Sequence, residues 1–305
     1  MQLSRRTMLS GAAASSALAL FPQRTIGQLA LGSGSLTTVS DGNLVLPGNV
    51  AFDSPELQDL LPQLVDMGLS PDQVEPECNL ALYRDGTNTV LFDAGSGHDF
   101  MPSAGKILDS LDAIGVAPDD VTHVIMTHAH PDHVWGLLDD FDDPMFYNAV
   151  HMMGQREWDY WWNPETVDTI GEARTTFAVG AKRRMEALED AFTLFTDGQE
   201  VVPGVLAIET PGHTPGHMSF EVRQGNDAVM VLGDAIGNHH VAFLRPDLHS
   251  PSDQDPTQGA ATRVGLFDRI TNERLLVAGF HLPQGGIGRI ESGGDGAYRF
   301  LQGDL

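Results

Sequence analysis

Val124-Ile125-Met126 reads as a buried strand, and it runs straight into Thr127-His128-Ala129-His130-Pro131-Asp132-His133. Imidazoles and a carboxylate packed this densely suit Zn2+ or a similar borderline cation. His128 and His130 are two residues apart, so in an extended segment they point the same way. The Pro131-Asp132 turn then brings Asp132 and His133 back toward them. Thiolates cannot share this work. Cys78 stands alone, which excludes an intramolecular disulfide and any thiolate cluster, and it reads as a small buried residue beside a strand.

Further candidate ligands sit at the ends of other apolar runs. Thr210-Pro211-Gly212-His213-Thr214-Pro215-Gly216-His217 holds His213 in a turn fixed by glycine and proline. The run 228–232 leads into Gly233-Asp234, and 275–278 leads toward Phe280-His281. Strand ends on one rim of a sheet are a rigid way to assemble a metal site. The remaining pattern predicts strands over 79–84, 89–92, 121–126, 205–208 and 217–222, with a hairpin at Asp85-Gly86-Thr87-Asn88. Helical spacing covers 102–114, 158–162, 171–191 and 262–270, while 36–75 reads as an extended lead-in with short elements. No linker splits the chain, so 31–305 is expected to form one α/β domain with at least two sheets.

Residues 1–30 are expected to lie outside that domain. Ser4-Arg5-Arg6-Thr7-Met8-Leu9 and the weakly apolar run after it resemble a twin-arginine export signal, with Ala17-Leu18-Ala19 as a cleavage site. That resemblance implies export in the folded state and a periplasmic or secreted location. No other segment has enough consecutive apolar residues to span a membrane. Apolar residues make up 41% and charged residues 19%, an ordinary globular mix. Asp and Glu number 42 against 17 Lys and Arg, a formal charge of −25, and every acid lies beyond residue 30. A field of that sign repels phosphate backbones and anionic lipid, so nucleic acid is not expected as a partner.

The H-x-H-x-D-H motif, followed in order by His213, Asp234 and His281, resembles the metallo-β-lactamase superfamily over roughly residues 78–285. The resemblance implies an αββα sandwich with two divalent metal ions, expected to be Zn2+, at one edge. His128, His130 and His213 would hold the first ion. Asp132, His133 and His281 would hold the second, with Asp234 and a hydroxide bridging the two. A bridging hydroxide attacks carbonyl carbon or phosphorus, and Asp132 would orient it or pass a proton to the leaving group. Asp93 and Thr127 would brace the metal loop from behind, and His217 would hydrogen-bond near the rim. A homodimer is compatible with the resemblance, although the sequence itself displays no interface.

The same resemblance narrows the substrate. Members with a cysteine ligand are disfavoured because Cys78 precedes the motif and Asp132 is present. Glyoxalase II-like thioesterases carry a helical C-terminal region, whereas few residues follow His281 and many are glycine. Flavin-bearing di-iron members need a further cofactor domain. Acyl-homoserine lactonases typically carry a tyrosine shortly after the bridging aspartate, and Ala235-Ile236-Gly237-Asn238 has none. The long gap between His133 and His213 and the export-type segment are similar to the methyl parathion hydrolase-like branch. Its members cleave phosphotriesters, aryl esters and lactones. The expectation is a dinuclear-metal hydrolase of a neutral ester, lactone or phosphotriester. The alternatives are an acyl-homoserine lactonase or a mononuclear iron oxidoreductase of the persulfide dioxygenase type.

For the small-molecule pocket, Trp135 stands where the family often has glycine, so its ring is expected to narrow one wall. Trp158, Tyr160, Trp161 and Trp162 form either an aromatic lid over the rim or a packed amphipathic helix. His239 and His240 follow Asp234 closely enough to approach substrate, while His98 and His249 have no assigned role.

Overall fold

Alternation along the strands sorts the apolar side chains into layers. Ala81, Tyr83, Val90 and Phe92 pack into one cluster, while their neighbours Leu80, Leu82 and Leu91 pack into another. The same happens later in the chain, where Val229 and Val231 join the first of these clusters and Met230 joins a third. Each strand therefore has two buried faces, which requires a sheet covered on both sides.

A computed structural model describes residues 27–237 and 239–302, with His239 described by its backbone alone. The expected twin-arginine segment and its cleavage site lie outside the described residues. Two seven-stranded sheets face each other. The first runs in the order Gln28–Leu31, Gly34–Asn43, Glu77–Arg84, Thr89–Phe92, His123–Ile125, Val150–Gly154 and Phe192–Phe195. The second runs Glu200–Val202, Val205–Glu209, Met218–Gln224, Asp227–Val231, Leu276–Ala278, Ile287–Gly294 and Ala297–Leu301. Their inner faces share one core, in which the Phe92 and Phe220 rings lie 5.1 Å apart across the gap. Helices Ile107–Ala113 and Thr175–Ala187 cover the outer face of the first sheet, and Pro256–Glu273 covers the second. The architecture is the αββα sandwich of the metallo-β-lactamase type, with mixed sheets in a single domain.

Pairing direction decides where the functional turns fall. Thr89–Phe92, His123–Ile125 and Val150–Gly154 are parallel neighbours, as are Asp227–Val231 and Leu276–Ala278. Parallel strands end on the same edge, so the residues that follow them collect on one rim. Met218–Gln224 is antiparallel to Asp227–Val231, which places its start on that rim too. There Met218 N donates to Thr127 O at 2.9 Å and joins the two sheets.

Several boundaries differ from the expectation. The lead-in contains a ten-residue strand, Gly34–Asn43, and a helix, Pro55–Asp66, capped by Ser54. The boundary expected after residue 30 falls inside the hairpin of Gln28–Leu31 with Gly34–Asn43. The helix expected over 102–114 is only Ile107–Ala113, because buried Asp41 accepts from Gly105 N and Ile107 N and holds the preceding turn irregular. Gly171 has φ 96 and lies outside the helix Thr175–Ala187. The helix expected over 262–270 runs the full length of Pro256–Glu273 from an Asp255 cap. Among the described residues, no helix is long and apolar enough to cross a membrane.

Candidate metal centre

Four turns on the rim deliver seven side chains to one place. Residues 128–133 follow the strand His123–Ile125, His213 precedes Met218–Gln224, Asp234 follows Asp227–Val231, and His281 follows Leu276–Ala278. Donor atoms of His128, His130 and His213 form one compact group, and those of Asp132, His133, Asp234 and His281 form another. Within each group the atoms lie within 4.8 Å of one another, and all seven residues are buried. Asp234 reaches both groups. Its Oδ2 is 3.4 Å from His213 Nε2 and 3.2 Å from His281 Nε2, while its Oδ1 is 3.3 Å from His133 Nε2. Asp132 Oδ2 lies 3.3 Å from His281 Nε2.

The groups suit cations. His128 Nε2 is buried and makes no hydrogen bond, and His133 Nε2 and Asp234 Oδ1 are buried with only their long 3.3 Å contact to each other and a 3.5 Å contact from His133 to Asp132. An unpartnered buried polar atom costs about 1–3 kcal/mol, and an ion would satisfy these at once. Burial, aided by neighbouring imidazoles, pulls the pKa values of His128 and His130 well below the ordinary range, so both are neutral and able to ligate. Burial acts the same way on His133 and His281, but the nearby carboxylates outweigh it and raise both. Asp234 is lowered well below the usual carboxylate range, because His281 and His133 overcome its desolvation.

Supporting contacts fix the rings from behind. Asp93 Oδ2 is 2.8 Å from His133 Nδ1, and Asp93 also accepts from Thr127 N and Thr127 Oγ1. Thr127 Oγ1 lies 3.0 Å from His128 Nδ1. His281 Nδ1 donates to Glu77 O at 2.7 Å. His217 is a brace: Asp234 N donates to its Nε2 at 2.9 Å, and its Nδ1 is 2.8 Å from Thr210 Oγ1. Burial lowers its pKa to about 3, which keeps the accepting nitrogen free of a proton.

Three supporting residues carry no sequence signal. Asp253 Oδ1 is 3.3 Å from His213 Nδ1, and its other oxygen meets Arg263 Nη1 at 3.3 Å. Gln254 Nε2 lies 3.3 Å from His130 Nε2. Glu157 is fully buried beneath the His128 and His213 turns. Asp253 follows Pro251-Ser252 and reads as an ordinary turn, and Glu157 sits in a helix notable in sequence only for its tryptophans.

A cleft of about 940 Å3 opens over the two groups, with His130, Asp132, His213, Asp234 and His281 at its floor. Its walls come from the lead-in, through Leu46, Leu57, Leu69 and Val74, and from Phe100 and Phe177. The tryptophans expected there are elsewhere. Trp135 packs against Phe100 and Gly180 beneath the Arg184 guanidinium. Trp161 is buried below the centre, its indole 5.8 Å from His130, and Trp162 stacks on Trp158 under Lys182. Their helix, Gln155–Trp162, is the packed amphipathic one and forms no lid. His240 and His249 do line the cleft, and burial lowers the His240 pKa. The His239 side chain lies outside the described residues. His98 is exposed between Asp99 and Asp140.

Known proteins resemble the chain in sequence and in fold. The N-acyl homoserine lactonase AttM of Agrobacterium fabrum is 32% identical over 128 residues, 41% of this chain and 44% of that protein. AiiA of Bacillus thuringiensis subsp. kurstaki, also an N-acyl homoserine lactonase, is 26% identical over 56% of this chain and 58% of its own length. The chain thus spans about half the length of these curated relatives. Among solved structures, the hydrolase AbOPH of the beta lactamase superfamily superposes with TM-score 0.83 at 26% identity, covering 92% of this chain and 98% of that one. AidC, a dizinc quorum-quenching lactonase, shares the fold with TM-score 0.86 at 21% identity, over the same shares. The sequence model of the Metallo-beta-lactamase superfamily matches residues 75–299, most of the chain, and the chain belongs to that family.

Proposed function

We propose that the protein is a metal-dependent hydrolase that opens a neutral lactone or ester carrying an apolar substituent. One observation carries the reading: two buried donor groups share Asp234 at the floor of a large, mostly apolar cleft. When bound, two divalent ions, Zn2+ by preference, supply Lewis acidity and a water activated as hydroxide near neutral pH. The chain's own residues do the rest. Asp234 holds the two groups at a fixed spacing. Asp132, ionised and held by His133 and His281, orients the attacking water, takes up the proton that water gives off and passes that same proton to the leaving oxygen. Leu46, Leu57, Leu69 and Val74 receive the apolar substituent and exclude water beside the reacting carbonyl. The lactonase names of AttM and AiiA support a lactone, and the absence of a tyrosine just after Asp234 favours other neutral esters beside acyl-homoserine lactones. By the resemblance of residues 4–9 to a twin-arginine signal, we propose that the protein is exported folded, to the periplasm or beyond the cell.

Initial rates and metal content of the purified protein test this together. The panel is an aromatic lactone, an aryl ester, a phosphotriester, an acyl-homoserine lactone and a β-lactam. Turnover of a lactone or ester, lost on chelation and with two ions per chain, is expected. A single iron per chain with no turnover would overturn the hydrolase reading in favour of the redox alternative.

A further inference from the structure

We infer that Glu157 is a positioning residue, whose buried carboxylate ties the turn carrying His128 and His130 to the turn carrying His213 and thereby sets the spacing of those three imidazoles. Glu157 lies in the first turn of the helix Gln155–Trp162 and is 0% exposed. Its Oε1 accepts from Ala129 N at 2.9 Å and from Trp161 Nε1 at 2.6 Å. Its Oε2 accepts from Thr214 Oγ1 at 2.7 Å and from Gly216 N at 3.0 Å. Ala129 separates His128 from His130, and Thr214 follows His213. One carboxylate therefore grips both ligand turns, which stand 83 residues apart in the chain at His130 and His213.

Chemistry argues against a filler role. A buried carboxylate is costly unless hydrogen-bonded, and a hydrophobic side chain would fill the same volume more cheaply. Ala129 N, Trp161 Nε1 and Gly216 N can only donate, and they fall on both carboxylate oxygens, so an amide or a protonated acid would set one donor against another on either side. Packing is equally committed. A Cβ on Gly216 would lie 2.1 Å from Glu157 N, so the His213 turn rests directly on the helix backbone. Trp161, the fourth partner, is fixed with its ring 5.8 Å from His130, which gives that imidazole a wall.

The inference rests on the two-ion reading above, and the test separates the two. Parent, Glu157→Gln and Thr214→Val are stripped of metal and titrated with Zn2+ against a chelator, and with Co2+ by absorption spectroscopy. Melting temperatures are recorded beside them. Glu157→Gln replaces an acceptor by a donor, whereas Thr214→Val removes a single donor and serves if the first variant does not fold. Met185→Ala, a core change in the helix Thr175–Ala187, controls for general loosening. The expected result is one ion weakened about ten- to hundredfold in Glu157→Gln, the other unchanged, an altered cobalt spectrum and a smaller shift in Thr214→Val. Parent-like affinities and spectra in both variants would overturn the inference, whatever their melting temperatures. So would an equal weakening in Met185→Ala. A parent that binds no divalent ion would overturn the metal reading, and this inference with it.

Discussion

Asp234 touches an imidazole of every turn in the centre except its own, through His133, His213 and His281. Asp234→Ala should release both ions and lower kcat/KM about a thousandfold or more, since several kcal/mol of transition-state stabilisation go with them. A fully loaded, active variant in elemental analysis would refute the shared position. Asp93 supports His133 from a left-handed backbone, φ 67. Asp93→Gly keeps that conformation without strain, so it isolates the carboxylate, and metal affinity should fall about 10–100-fold by chelator competition. His151 lies away from the centre's donor groups, in the strand Val150–Gly154. It is 2% exposed with neither ring nitrogen hydrogen-bonded, and burial lowers its pKa to about 4 from 6.5. Between those values the unfolded chain binds a proton that the folded chain refuses, so stability falls as pH drops from 6.5 toward 4, by at most about 3 kcal/mol. His151→Leu should flatten that part of a denaturation-versus-pH curve; an unchanged slope would show that the proton is taken up elsewhere. The candidate donors were legible in sequence because each lies in a turn at the end of an apolar run. Glu157 and Asp253 were not, because nothing local distinguishes a buried carboxylate from a solvated one. Only the assembled rim tells them apart.

Elements were readable in proportion to how locally their burial is written. Thr89–Phe92 is apolar after its first residue and matches its expected bounds. Gly34–Asn43 hides because Thr37, Thr38 and Asp41 are buried polar residues, and Thr38 and Asp41 find their partners far along the chain. The first turns of Pro256–Glu273 hide because they are small and polar, and that is what their packing demands. A Cβ on Gly212, φ 131, would lie 2.2 Å from Gly259 N, so the His213 turn and this helix meet backbone to backbone. Gly212→Ala should therefore cost about 1–3 kcal/mol and carry His213 away from its group. Calorimetry of the metal-free protein would read the first effect and metal titration the second. A melting temperature and affinity both equal to the parent's would show that the contact can relax.

Across the molecule, 42 acids against 17 basic residues set the field through which a substrate arrives. Neutral esters should show kcat/KM independent of salt, whereas an anionic analogue should react slowly at low ionic strength and gain several-fold as salt screens the repulsion. Equal salt slopes for matched neutral and anionic esters would show that the cleft is shielded from the outer charge. The cleft walls were the least legible part of the chain. They come from the lead-in and from Ile170 to Phe177, segments with no motif, brought over the rim only by tertiary packing.

Each donor group draws on both sheets: His128 and His130 from the first with His213 from the second, then Asp132 and His133 from the first with Asp234 and His281 from the second. Ions seated there act as rivets along a seam, and their binding energy counts toward holding the two halves of the sandwich shut. Loss of metal would then do more than silence the protein. It would unfasten the rim, expose the turns to proteases, and make the lifetime of the chain a reading of the metal supply around it.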